Sequence, residues 1–317
     1  MSFSHVRLRA ALWAVLPALA LLPAIGRSCA CGCGIYEVGT GSMVPTGSGV
    51  SAFLDYNYQD QDRNWSGGSA APAADNPDRD IRTSAFTFGL QDMLNRRWGI
   101  RLEVPREARH FETVSEAPGA PLADLDFSGL GDIRIEGIYT GLSPDLSTGI
   151  TFGIKLPTGS YTLNDGYGDI DRDTEIGSGS TDLLLGAYRR FNLGTDYGWS
   201  GILQGVIDLP VLTRAQYRPG AEGDAAVGVY YNGLSIGRMR VSPVGLLKVS
   251  VRGSDSGANA ASPVASGFER LLVAPGVELD WHPLRVYADV ERPILEHVTG
   301  NQLTAPVLVR LSVSYMF

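Results

Sequence analysis

From Val50 onward, apolar and polar residues alternate along the chain in short blocks. The last block shows the pattern best. Val307, Val309, Leu311, Val313, Tyr315 and Phe317 take every second place, and Arg310, Ser312 and Ser314 fall between them. Successive side chains of a strand point to opposite faces, so this segment carries one apolar and one largely polar face. An apolar face that ends on two aromatics suits the aromatic girdle of a membrane barrel better than the edge of a soluble sheet. The same alternation predicts strands at about 50–58, 81–93, 98–104, 132–140, 150–156, 179–191, 199–209, 225–234, 239–251, 271–281 and 284–290, twelve with the last.

The links between these segments alternate in length. Short ones at 95–97, 142–145, 235–238 and 282–283 are interleaved with long ones at 59–80, 106–129, 158–176, 252–267 and 291–304. Outer-membrane barrels are built this way, with short periplasmic turns and long outer loops. Backbone groups in lipid must all be bonded, so such a sheet must close on itself. The expected fold is all-β: a single transmembrane antiparallel up-and-down β-barrel of about twelve strands, with both termini in the periplasm.

Composition narrows the picture. A net charge of −8 leaves no basic surplus, which excludes nucleic acid as a partner. A hydrophobic content of 44% does not suggest a helical membrane protein, and alternating strands hide a lipid face from such an average. The only long apolar run is Ala10 to Leu22, preceded by Arg7 and Arg9 and followed by Pro23. This is the layout of a secretory signal, too short for a good spanning helix. Cleavage is expected after Gly26 or Ala30. The chain then divides into a signal at 1–30, a Cys- and Gly-rich periplasmic lead-in at 31–49, and an outer-membrane barrel at 50–317. The expected partners are outer-membrane lipid, a small-molecule solute in the bore, and the barrel-assembly machinery, which would read the terminal strand ending in Phe317.

On the lipid face, an Arg or Lys at mid-membrane costs roughly 2–4 kcal/mol, so the charges within strands belong inside. By alternation these are Arg101, Glu103, Asp132, Arg134, Glu136, Lys155, Asp208, Arg240, Lys248, Glu278, Asp280, Arg285, Asp289 and Arg310. Both signs occur in similar number. A lining of one sign would select ions by charge, whereas a mixed lining implies ion pairs across a narrow, partly filled bore.

Two clusters outside the strands could carry chemistry. Cys29, Cys31 and Cys33 hold every thiol of the chain. Thiolates at alternate positions suit a soft metal, a redox pair or an acylated Cys, and a soft metal here is the only cofactor the sequence suggests. Asp169, Asp171, Asp173 and Glu175 alternate in a long outer link and could offer oxygens to a hard cation such as Ca²⁺, although the spacing of an EF-hand is missing. Gly233-Leu-Ser235-Ile-Gly237 matches a hydrolase elbow, but falls in a tight link between strands with no helix after it.

Three stretches carry a resemblance: Gly129-Leu-Gly-Asp-Ile133, Phe152-Gly-Ile-Lys-Leu-Pro-Thr-Gly159, and Gly177-Ser-Gly-Ser-Thr-Asp182 leading into Leu-Leu-Leu-Gly-Ala-Tyr188. They resemble the outer-membrane family named for the meta-pathway of phenol degradation. That resemblance implies a barrel passing small, often aromatic or hydrophobic, organic solutes, and no catalytic residues. The resulting expectation is a non-enzymatic outer-membrane channel for passive passage of small solutes. The alternatives are a metal-handling or redox-linked protein using the Cys cluster and, third, an outer-membrane hydrolase using Ser235.

Overall fold

The computed structural model describes residues 44–45, 47–114, 122–164, 169–194, 198–260 and 264–317. The expected signal segment and the three cysteines lie outside this set. Twelve antiparallel strands form the wall. They are β1 (Gly49–Gln61), β2 (Asp78–Met93), β3 (Trp98–Val114), β4 (Ile133–Tyr139), β5 (Thr148–Leu156), β6 (Ser180–Leu193), β7 (Trp199–Thr213), β8 (Glu222–Tyr231), β9 (Met239–Arg252), β10 (Phe268–Trp281), β11 (Leu284–Thr304) and β12 (Leu308–Met316). Each pairs with its neighbours in sequence. The terminal strand β12 pairs with β11 on one side and with β1 on the other, from Ser51 opposite Met316 to Gln59 opposite Leu308. That last pairing leaves the wall without a free edge, as a sheet in hydrocarbon requires.

Alternation sorts the side chains. Leu54, Phe86, Phe88, Ile100, Leu102, Phe152, Leu203, Val227, Leu247, Val309 and Leu311 are exposed on the outside. Asp55, Arg101, Glu103, Glu136, Lys248, Asp289 and Arg310 are buried on the inside. The outer surface is therefore the apolar one, the reverse of a soluble protein. Aromatic pairs gather beside the short turns and the carboxy terminus: Trp98 with Tyr139, Trp199 with Tyr231, and Tyr315 with Phe317, at centroid separations of 4.6, 4.8 and 5.0 Å. Their amphipathic rings mark one membrane interface.

The strands exceed expectation at the opposite, outer end. Residues 106–129, expected as a loop, instead continue β3 to Val114 and return as a further strand, Leu122–Leu130, paired with it from Arg106 opposite Leu130 to Val114 opposite Leu122. Residues 291–304, also expected as a loop, extend β11 to Thr304 and pair there with a short strand, Arg63–Gly67, from within the expected 59–80 link. Hydrogen bonding between neighbours carries the ladder past the point where apolar alternation fades. Ile81, Phe111 and Leu303 form a small core within this raised rim, with Leu125 and Phe127 against it. Leu234–Ile236, the segment that holds Ser235, is a short exposed strand paired only with β9, not a strand–turn–helix elbow.

Replacing outward Leu311 by Arg is expected to destabilise the folded barrel by roughly 2–4 kcal/mol, measured by denaturant titration in lipid vesicles. Ser312→Ala, one residue along and facing inward, serves as the reference substitution.

Candidate functional site

Strand register brings the interior charges together in pairs. On β3 to β6, Glu103 stands opposite Arg134, Arg134 opposite Lys155, and Lys155 opposite Asp182. The Lys155 Nζ lies 2.5 Å from Asp182 and 2.7 Å from Asp208 of β7. Arg101 stands opposite Glu136, bonds it through both Nε and Nη2, and lies 3.1 Å from Glu103. Across the lumen a second group forms around Asp289, which stands opposite Arg310. There Lys248 Nζ sits 3.2 Å from Asp289 and 2.5 Å from Glu291, and the Tyr287 hydroxyl donates to Asp289 at 2.6 Å. Arg310 reaches Asp55 at 3.7 Å. Near the turns, Arg240 stands opposite Asp280, and Asp280 opposite Arg285. Arg240 bonds Asp280 at 2.7 Å but is the most solvated of these groups, with 53% of its side chain exposed. Charges withdrawn from water persist when paired, and partners come both from register and from long side chains reaching past the adjacent strand.

The outer end of the bore is narrowed by the link between β5 and β6. It turns inward through a short 3-10 helix, Arg172–Thr174. Its base is held by one carboxylate. Asp132 Oδ1 accepts from the Gly159 amide at 2.9 Å, and Oδ2 accepts from the amide and hydroxyl of Ser178 at 2.9 and 2.6 Å. The Thr158 hydroxyl donates to Gly131 O at 2.7 Å and accepts from the Ile133 amide at 3.0 Å. The three stretches that carry the family resemblance thus meet at one knot around Asp132. Two backbones touch there: the Gly177 amide donates to Ser160 O at 2.7 Å, and a Cβ on Gly159 would stand 2.7 Å from the Gly177 Cα. Arg109 of β3 donates to the carbonyls of Thr174 and Glu175 at 2.6 and 2.8 Å. The Arg172 guanidinium lies over the rings of Tyr161 and Tyr217, 4.9 and 4.7 Å from their centroids.

Two cavities flank the ionic layer. The outer one, about 150 Å³, lies between the knot and the wall, lined by Glu103, Asp132, Arg134, Lys155, Arg172 and Glu175 among others. The inner one, about 550 Å³, opens toward the short turns and is lined by Asp145, Arg190, Tyr230, Arg240, Glu278 and Arg285 among others. Both linings mix the two signs.

The alternating acidic run does not converge. An extended strand would hold its carboxylates on one face, but the 3-10 turn rotates them apart. Asp169 is exposed and accepts from Asn164, whereas Asp173 and Glu175 are buried and Glu175 Oε1 accepts from the Leu163 amide at 2.7 Å. Among the described residues, donor groups close enough to share an ion instead surround His110 on the outer face of the rim, with Asp80 and Glu112 to one side and Asp124 and Asp126 to the other. Asp132 is an anchor for the inward link as well as an interior residue. Sequence reasoning missed Asp55, Asp182, Glu291, Arg109 and Arg172. Asp55 was legible, since it shares the polar face of β1 with Ser51 and Asn57. Asp182 lay in a segment whose faces alternation left ambiguous, and Arg109 and Arg172 belong to stretches read as loops.

The fold, set out above, is that of outer-membrane β-barrels. An outer membrane channel from Pseudomonas putida F1 superposes with a TM-score of 0.64 at 14% identity, covering 89% of this chain and all of that one. The beta domain of the Bordetella autotransporter BrkA superposes with a TM-score of 0.52 at 13% identity over 85% of this chain and all of that one. No family model matches the chain, and no curated protein matches it.

Two outcomes follow. Lys248→Met removes the cation bonded to Asp289 and Glu291 and leaves Arg310 to offset both, and is expected to cost up to about 3–5 kcal/mol by denaturant titration, much of it recovered when both carboxylates are also neutralised. In the inward link, burial pushes the Glu175 carboxyl up to about 7 from its ordinary 4.5. Since the folded form holds its proton more tightly, its contribution to stability is full below about 4.5 and is lost as pH rises through about 7. Corrected for the intrinsic base-catalysed rate, hydrogen exchange at residues 158–164 and 169–178 is expected to lose protection over that window, and Glu175→Gln is expected to abolish the loss.

Proposed function

We propose that this protein is an outer-membrane channel for passive passage of small organic solutes. One observation carries the reading: a closed wall, apolar outside and ionic inside, encloses two cavities to which charged side chains of both signs contribute. Its likeness to a channel fold supports the same reading. The solute class comes from two sources. The family resemblance favours small aromatic or hydrophobic molecules. The mixed-sign lining favours, within that class, molecules that carry a hydroxyl or carboxyl group able to exchange water for Arg, Lys and Asp partners. In this reading residues 1–30 direct export, and the last strand with Phe317 delivers the chain to the assembly machinery and outer-membrane lipid.

Recordings from the purified protein in planar bilayers test this. The expected result is a small, discrete conductance with weak preference between cations and anions, reduced by millimolar phenolic solutes. A barrel that stays silent at every voltage and with every solute overturns the proposal.

A further inference from the structure

Above the apolar belt, the outward faces of β2, β3 and the return strand Leu122–Leu130 change character row by row. Register sets the rows. Phe86 stands opposite Arg106, and Arg106 opposite Leu130. Next come Ser84, Ala108 and Ser128, then Arg82, His110 and Asp126, then Asp80, Glu112 and Asp124. Successive rows are two residues apart on each strand, so all these side chains share the outer face. The first ionic row, at Arg82, lies about 13 Å along β2 from Phe86, clear of the hydrocarbon.

Both ring nitrogens of His110 meet carboxylates. Nε2 lies 3.3 Å from Glu112 Oε1, and Nδ1 lies 3.0 Å from Asp126 and 3.4 Å from Asp124. Asp80 brings a third donor to the Nε2 side, where the ligand atoms of Asp80, His110 and Glu112 all lie within 4.8 Å of one another. Two ligand atoms on one tetrahedral Zn²⁺, each about 2.0–2.2 Å from it, stand about 3.4 Å apart. The spacing of His110 Nε2 from Glu112 is therefore already that of one edge of a coordination shell. Asp80 has an oxygen to spare. Its Oδ2 accepts from Arg82 Nε at 2.9 Å, whereas its Oδ1 is shielded from solvent and meets no donor among the described residues. Asp60 of β1 lies against Asp80, and its own Oδ1 is shielded and meets no donor there either. Carboxylate oxygens taken out of water without a donor are costly, and a bound cation would satisfy them.

We propose that Asp80, His110 and Glu112 bind a divalent transition-metal ion of the Zn²⁺ class on the outer face of the rim, with His110 ligating through Nε2. The donors set the ion class. An imidazole among carboxylates suits Zn²⁺, Ni²⁺ or Cu²⁺ better than Ca²⁺, which takes oxygens alone. Nδ1 then carries the proton and donates to Asp126, the carboxylate–histidine arrangement that fixes ring and tautomer at metal sites. Exposure decides between the two sides of the ring. Asp80 and Glu112 keep 19% and 31% of their side chains exposed, against 63% and 84% for Asp124 and Asp126. The Nε2 side therefore needs less ordering of side chains to take up an ion. Bound there, the ion ties β2 to β3 above the lipid.

The test uses the folded, exported barrel in detergent, without a histidine tag, stripped by a chelator, and with Cys29, Cys31 and Cys33 replaced by Ser. Calorimetric titration with ZnCl₂ is expected to show one site of micromolar Kd, and Co²⁺ in its place is expected to give visible ligand-field bands. His110→Gln and Asp80→Asn are each expected to weaken Zn²⁺ binding at least about a hundredfold, and Asp126→Asn, which touches only the far nitrogen, about tenfold. His297→Gln is expected to change nothing. These residues lie outside the apolar belt, so every variant is expected to keep the β-sheet circular dichroism of the parent. A parent that binds no Zn²⁺, or binding that survives His110→Gln undiminished, overturns the site. Tighter binding of Ca²⁺ than of Zn²⁺ overturns the ion class, and loss in Asp126→Asn without loss in Asp80→Asn overturns the assignment to Nε2. Bilayer conductance is expected to be the same in His110→Gln as in the parent, so the channel reading stands or falls separately.

Discussion

Backbone amides and carbonyls in hydrocarbon have no water to bond, and each one left single costs several kcal/mol. The pairing of β1 with β12 meets this constraint for the whole wall, because it removes the two edges a twelve-stranded sheet would otherwise show. Closure in turn defines an inside and an outside, and alternation then assigns every strand residue to one of them. The apolar exterior, the ionic interior and the position of the carboxy-terminal aromatics are all consequences of that one ladder.

The interior is organised in layers along the axis. An apolar floor of tyrosines and aliphatic side chains lies toward the short turns. Above it come the paired charges around Lys155, Arg101 and Asp289, and above these the knot at Asp132. Register supplies part of the pairing, as in Arg101 opposite Glu136 and Asp289 opposite Arg310, and the long Lys155 and Lys248 side chains reach past the adjacent strand for the rest.

Much of the wall was legible from residues 307–317 and their echoes upstream, since a period of two survives wherever one face meets lipid and the other meets ions. What could not be read were features that depend on partners distant in sequence. The outer extensions of β3 and β11 form above the membrane, where both faces are polar enough to blur alternation, and only the ladder shows that Arg106–Val114 and Leu122–Leu130 belong together. The inward link looked like an acidic loop because nothing local reveals that Asp132, 27 residues before Gly159 and 46 before Ser178, holds its base. Val44 sits in a stretch of Gly, Ser and Thr that reads as a tether, and its burial depends on six strands that come later in the chain. Glu103 and Lys155, by contrast, lie in clean alternation, and their interior placement follows from position alone.

The contact between Gly159 and Gly177 has a bearing on how such an entrance could be remade over generations. Main chain lies on main chain there, with no room for a methyl group, so the hinge of the constriction is specified by two absent side chains. Arg172, by contrast, is held through its side chain, which lies over the rings of Tyr161 and Tyr217. A lineage could therefore exchange that stacked set together and change the lining of the outer cavity, while the depth to which the link reaches stays fixed.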